Sequence, residues 1–134
     1  MDSSTLRSPI KSLEVSKPIC VAPDSIVSKV LKTMRDNKIG CVCVVENCKT
    51  VGIFTERDVL VRVIGENKNP EAIVVKEVMT ADPEYLFEDD EIAFALNRMR
   101  VGGFRHVPLA DADCRPAGII SVKDIVKHLM KDLQ

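Results

Sequence analysis

The sequence predicts a mixed α/β (α+β) chain made of two pseudo-symmetric β-α-β-β-α repeats. Three observations carry that prediction. The stretch "GIFTERDVL", Gly52 to Leu60, recurs as "GIISVKDIV" from Gly118 to Val126; only Glu56 against Val122 is an unlike pair. Upstream, the correspondence continues at nearly constant offset: Ile10-Lys11 with Val75-Lys76, Pro18 with Pro83, Leu31 with Leu96, Met34-Arg35 with Met99-Arg100, and "CVCVV" with "RHVPL". Within each copy the apolar period switches between strand-like runs and helical spacing. The chain therefore divides into an N-terminal tail, 1–9, a first repeat, 10–69, and a second, 70–134. A unit of that size buries only a modest fraction of its surface, so the two are expected to pack on each other.

In the first copy "PICVA" is a short extended segment. "PDSIVSKVLKTMRDNK" follows as a helix, with Asp24 or Ser25 as N-cap and Ile26, Val27, Val30, Leu31 and Met34 on one face. Gly40 lies near the helix exit, and "CVCVV" is an apolar strand. "ENCKT" turns the chain into a second strand, "VGIF", and "TERDVLVRVI" is the second helix. The second copy repeats the order: "EYLF", helix "DDEIAFALNRMR", Gly102-Gly103, strand "RHVPL", turn "ADADCRP", strand "AGIIS", helix "VKDIVKHLMKDL". Continuous apolar strands such as "VCVV" point to a sheet covered on more than one face.

Composition excludes several classes of function. With 134 residues, 46% hydrophobic and 29% charged, the chain suits one compact folded domain or two very small ones and not a disordered regulator. Net charge is -1 and neither sign forms a block, so nucleic acid and anionic membrane are not expected partners. Apolar runs are too short to span a bilayer, and "MDSSTLRSP" lacks the apolar centre of a secretory signal. A cytoplasmic protein with reduced thiols is the expectation for its five cysteines. Cys41 and Cys43 share a strand face and read as small hydrophobes; without CxxC or HxxxH spacing no metal site is expected. No nucleophile-base pair or P-loop is present, so the chain is expected not to be an enzyme.

The repeated corner holds the chemistry. Thr55 and Ser121 open helices, where free N–H groups and the positive dipole end favour phosphate, and Asp58 and Asp124 follow three residues on. The same spacing also forms a cap, with the hydroxyl accepting from the N3 amide, and the two readings are compatible. Gly52 and Gly118 mark either a bulge or a close packing contact.

The tandem "hGhhTxRDhh" and "hGhhSxKDhh" endings (h for apolar), with "VKEVMTADP" and "GFRHVPL" ahead of the second, resemble a pair of cystathionine-β-synthase (CBS) domains, the arrangement called a Bateman module. The resemblance covers about Ile10 to Leu133. It implies two units packed sheet to sheet with clefts between them, and a regulatory, small-molecule-sensing role. The implied ligand is an adenosine nucleotide, AMP, ADP or ATP, with or without Mg; no cofactor is required.

By the same resemblance Asp58 and Asp124 accept from ribose hydroxyls, Thr55 and Ser121 reach ribose or phosphate, and the basic pair Arg105-His106 contacts phosphates. The first copy has Cys41-Val42 in place of that pair. The family's pairing of one repeat's aspartate with the other's basic pair makes the Asp58 cleft the stronger expected site. Lys17, Arg57 and Lys123 are candidate cations, and Pro18 with Ala81, Asp82 and Pro83 match the segment whose backbone meets adenine. Apolar residues on "VLVRVI" and "IVKHLM" exceed the needs of a small core, so a homodimer and an unknown protein target are expected. The alternatives are a ligand-free interaction or dimerisation module, and a redox sensor using Cys41 or Cys43.

Overall fold

The computed structural model describes residues 3–15 and 17–133. In chain order the elements are α1 (Ser3–Arg7), a 3-10 turn (Ile10–Ser12), β1 (Cys20–Val21), α2 (Val27–Asn37), β2 (Cys41–Glu46) and β3 (Lys49–Thr55). There follow α3 (Glu56–Asp58), which continues as a π-helix over Val59–Ile64, a second 3-10 turn (Val75–Glu77), and β4 (Thr80–Ala81). The second half holds β5 (Leu86–Phe87), α4 (Ile92–Gly102), β6 (His106–Ala110), β7 (Pro116–Ser121) and α5 (Val122–Asp132).

Two compact units result, and each borrows its lead-in from the other repeat. One is Pro18–Pro83; the other joins the chain up to Lys17 to the chain from Glu84 onward. The first unit's sheet runs β1-β2-β3-β4, with β1 parallel to β2 and the other pairs antiparallel. The second unit's sheet runs β5-β6-β7, with β5 parallel to β6 and β6 antiparallel to β7.

The cores follow from the apolar spacing. In Pro18–Pro83, Val27, Val30 and Met34 of α2 pack with Val42 and Val44, the same-face residues of β2, and with Phe54, Val63, Val75 and Val78. In the other unit Ile92, Ala95 and Met99 of α4 pack with Val107, Leu109, Ile120 and Ile125, and with Ile10 and Leu13. Each fully buried side chain of this size contributes roughly 1.5–3 kcal/mol relative to an exposed one. Ile10 and Val75, both 0% exposed, thus anchor the exchanged lead-ins by the same hydrophobic force that holds the helices.

The helix starts depart from the expected caps. Asp24 and Ser25 do not cap α2; its N-cap is Ile26, which offers no side-chain bond, and Ser25 Oγ instead accepts from the Ala22 N–H at 3.2 Å. The lead-in backbone satisfies the helix: Val27 N–H donates to Ile73 O at 3.0 Å and Ser28 N–H to Pro70 O at 2.9 Å. In the other unit Ile92 N–H donates to Ser8 O at 3.0 Å. The bridges Ile26–Val74 and Pro9–Glu91 likewise correspond. A lead-in that supplies carbonyls to a helix start makes a side-chain cap unnecessary.

Two further differences separate the copies. The left-handed residue that ends α2 is Lys38 (φ 53°), not Gly40, whereas Gly103 (φ 69°) ends α4. The helix after β3 leaves α geometry after one turn: Gly65 N–H donates to Leu60 O and Lys68 N–H to Val63 O, both five residues apart. Its counterpart, α5, is a regular helix over 11 residues.

Candidate functional site

Each repeat ends its β-hairpin in a closed corner. At the first, Thr55 Oγ1 accepts from Asp58 N–H at 3.3 Å, and Asp58 Oδ2 accepts from Thr55 N–H at 3.0 Å and from the Thr55 hydroxyl at 3.1 Å. At the second, Ser121 Oγ accepts from Asp124 N–H at 3.2 Å, and Asp124 Oδ2 accepts from Ser121 N–H at 2.8 Å and the hydroxyl at 3.0 Å. Both are capping boxes, with aspartate in the N3 role. The capping reading of the sequence is therefore realised in both copies.

The second carboxylate oxygen distinguishes the two corners. Asp58 is 6% exposed, and its Oδ1 accepts from the Thr80 hydroxyl at 3.1 Å and faces Arg62 Nε at 3.6 Å. Arg62 is held in turn by the carbonyl of Met79. Asp124 is half-buried, and among the described residues its Oδ1 accepts no hydrogen bond. The cause lies one repeat upstream: Thr80 and Met79 correspond to Val15 and Glu14, so the second corner faces a valine where the first faces a hydroxyl. Thr80 and Arg62 escaped the sequence reading; Arg62, one turn beyond Asp58, carried a detectable helical pairing signal.

The basic pair sits beside the second corner within its own unit. Strand register places His106 opposite Ser121, and Val122 N–H donates to Arg105 O at 3.0 Å. Arg105 is exposed and His106 half-buried. In the first unit Cys41 pairs with Thr55. Arg57, Lys123 and Lys17 are all exposed. Ala81 pairs with Gly52 in β4–β3, Asp82 has φ 47° and donates its N–H to Val51 O at 3.0 Å, and both side chains are exposed. Pro18 and Pro83, both half-buried, stand at the two ends of the first unit. A Cβ on Gly52 would overlap the Met79 sulfur, and the β2–β3 register shifts beside the same residue, so close packing and a bulge coincide there; Gly118 adjoins the matching register shift between β6 and β7.

A cavity of about 240 Å³ opens at the second corner, lined by Glu14, Val15, Asp124, Lys127, His128 and Lys131. Cys41 and Cys43 do not form a reactive centre of the kind a redox sensor needs. Burial pushes the Cys41 thiol far up and the Cys43 thiol up to about 12, so neither is a thiolate near neutrality. Among the described residues no group of three or more His, Cys, Asp or Glu side chains converges as metal ligands. No helix among them is long and apolar enough to cross a membrane.

The two sequence copies coincide with two matches to the CBS domain, at residues 10–65 and 75–131. A CBS domain-containing protein of Arabidopsis thaliana, CBSCBSPB3, is 38% identical over 110 residues, 82% of this chain; the chain spans 20% of that relative's length. Among solved structures, an uncharacterized conserved protein from Pyrococcus horikoshii superposes with TM-score 0.85 at 23% identity, covering 96% of this chain and 95% of the other. The CBS domain protein PAE2072 from Pyrobaculum aerophilum, complexed with AMP, gives TM-score 0.80 at 18% identity over 92% and 98% of the two chains. The CBS domain pair of protein MJ0100, in complex with 5-methylthioadenosine and S-adenosyl-L-methionine, gives TM-score 0.82 at 23% identity over 91% and 99%. With its duplicated corner and both copies matched nearly end to end, the chain belongs to the CBS domain family and carries a tandem pair of its domains.

Proposed function

We propose that this chain is a cytoplasmic regulatory module that binds an adenosine nucleotide, AMP, ADP or ATP, and alters its contacts with a protein target without catalysing a reaction. The observation that carries the reading is the duplicated corner: a hydroxyl and a carboxylate held together at a helix start, in both repeats. A carboxylate fixed in this way presents a charge-assisted acceptor to a ribose diol. The ligands in the PAE2072 and MJ0100 complexes, each containing adenosine, support the same ligand class. Thr55, Asp58, Ser121 and Asp124 are the proposed ribose and phosphate contacts, with Arg57, Arg105, His106 and Lys17 supplying charge. Pro18 and the Ala81-Asp82-Pro83 segment are the proposed adenine-facing backbone.

Thermal unfolding with AMP, ADP, ATP, NADH and S-adenosylmethionine in turn tests this. A ligand at one hundred times its Kd adds about 2.7 kcal/mol, a readable shift for a chain of this size. A flat response to all five rejects nucleotide sensing and favours the second reading, a ligand-free interaction module. That reading has its own support in the exposed apolar side chains Leu60, Val61 and Ile64 on one helix and Val126 and Met130 on α5. Both readings include a homodimer built on those helices.

A further inference from the structure

We infer that Cys20 and Cys43 form a redox-active dithiol, which peroxide closes to an intrachain disulfide that clamps β1 to β2. The two residues are direct partners in the parallel pairing of those strands, and both are free thiols. Neighbouring strands stand about 4.8 Å apart, inside the range of roughly 4.4–6.8 Å between Cα atoms that a disulfide spans. Both side chains leave the sheet on one face. The next pair in register, Val21 with Val44, packs into the core with α2, so Cys20 and Cys43 point to the opposite side. The charge of Cys20 is among the causes that raise the Cys43 thiol, as two thiols close together require.

The pair has the asymmetry of an attacking and a resolving thiol. Cys20 is exposed and meets oxidant, whereas Cys43 is buried and meets only its neighbours. The Cys20 thiolate attacks one oxygen of hydrogen peroxide, giving a sulfenic acid and hydroxide, which takes up the thiol's proton to become water. The Cys43 thiol then attacks the sulfenic sulfur; the S–S bond forms, the S–O bond breaks and a second water leaves. Two thiols thus lose two electrons and two protons, and one peroxide is reduced to two waters. Partial burial raises the Cys20 thiol above its ordinary value, so the reaction is slow and answers sustained oxidant, not a brief pulse.

β1 is able to make the small movement that closure needs. It is two residues long, at the edge of the β1-β2-β3-β4 sheet, and among the described residues no strand pairs with its outer side. Its hold on β2 includes the bond from Cys43 N–H to Ile19 O at 2.9 Å. A covalent bond at that place turns an edge held by a few hydrogen bonds into a fixed one. The register that sets Val21 against Val44 sets Leu86 against Leu109 in the second unit, where Tyr85 and Pro108 stand in place of the two cysteines. The fold therefore does not require the pair, and Cys20, being exposed, fills no core.

Peroxide treatment of the full chain carrying Cys48→Ser and Cys114→Ser tests the dithiol, since these changes remove the other exposed thiols and leave Cys20, Cys41 and Cys43. The thiol count in denaturant should fall from three to one and return to three with dithiothreitol. Mass mapping, with fragmentation to tell Cys43 from Cys41, should find Cys20 joined to Cys43 within one chain. Exchange of the Cys43 amide proton should slow by about tenfold in the oxidised chain. Cys20→Ser on the same background, a change at an exposed position, should keep both remaining thiols reduced and leave that exchange unaltered. Loss of Cys20 alone, to a sulfinic acid or to a bond between two chains, would overturn the dithiol. So would a link between Cys41 and Cys43, or a full thiol count after prolonged exposure. A Cys20–Cys43 bond that left the exchange unchanged would overturn the clamp.

Discussion

Thr80 donates its hydroxyl to both carboxylate oxygens of Asp58, at 3.1 and 3.3 Å, and so ties β4 to the helix that follows β3. The acceptor is buried, so losing the donor leaves Asp58 Oδ1 with the Arg62 ion pair alone, while Oδ2 keeps its bonds from Thr55. Thr80→Val keeps the shape and removes the hydroxyl; it should lower the unfolding free energy by about 1–3 kcal/mol in urea titrations. Val15→Thr places a hydroxyl at the corresponding position of the second repeat. It should raise stability and weaken nucleotide binding at Asp124, the opposite sign on both readouts. A Thr80→Val protein as stable as the wild type would show that the latch contributes nothing.

Gly52 and Met79 form a second coupled pair. A Cβ at Gly52 meets the Met79 side chain, in the strand pairing that joins β3 to β4. Gly52→Ala should cost about 1–3 kcal/mol from overpacking. Because the obstacle is a flexible thioether and not backbone, shortening it should recover much of that cost. The double variant Gly52→Ala with Met79→Ala should then be more stable than the sum of the single effects predicts, and a thermodynamic cycle reads the coupling directly.

The proposed dimer contact and the core can be tested separately on the two helices. Leu60 is 63% exposed and Met130 60%, whereas Ile125 is 0% exposed within the core. Leu60→Asp and Met130→Asp should therefore shift sedimentation of the proposed homodimer toward monomer while circular dichroism is retained. Ile125→Asp places an unpaired charge in an apolar core and should abolish folding. A dimer that survives both surface substitutions would place the contact elsewhere.

The element order of both repeats was legible because hydrophobic period and turn chemistry are local properties. "CVCVV" and "VGIF" lie within β2 and β3, and "VKDIVKHLMKDL" runs through α5. The capping boxes at Thr55 and Ser121 were legible for the same reason. What escaped the sequence depends on residues far apart in it. Asp24 and Ser25 look like caps, but carbonyls of Pro70 and Ile73 take that role. The difference between Asp58 and Asp124 is set by Thr80 against Val15, which no window around either corner contains. The π-helical turn after Asp58 leaves no periodic signature in "VLVRVI", since its apolar residues suit either winding.

The thiols supply a pH prediction with a definite sign. Burial raises the Cys43 thiol from 9.0 to about 12 and raises Cys41 further, the neighbouring Cys43 adding to the latter by charge repulsion. In the unfolded chain both ionise near their ordinary value, while the folded chain keeps both protons. Below pH 9 the two states bind the same thiol protons and these groups contribute no pH dependence. Above it the unfolded chain loses them first, so stability falls through the window up to about pH 12. The slope is about 1.4 kcal/mol per pH unit for each thiol. Cys43→Ala should flatten that slope by about half in denaturant titrations stepped from pH 8.5 to 10.5, where the slope is developing. In parallel, alkylation of the native chain at pH 8 should label exposed Cys20, Cys48 and Cys114 and spare Cys41 and Cys43 until denaturant is added. Rapid native labelling of Cys43, or an unaltered alkaline slope in its alanine variant, would mean that its side chain is not sealed from water.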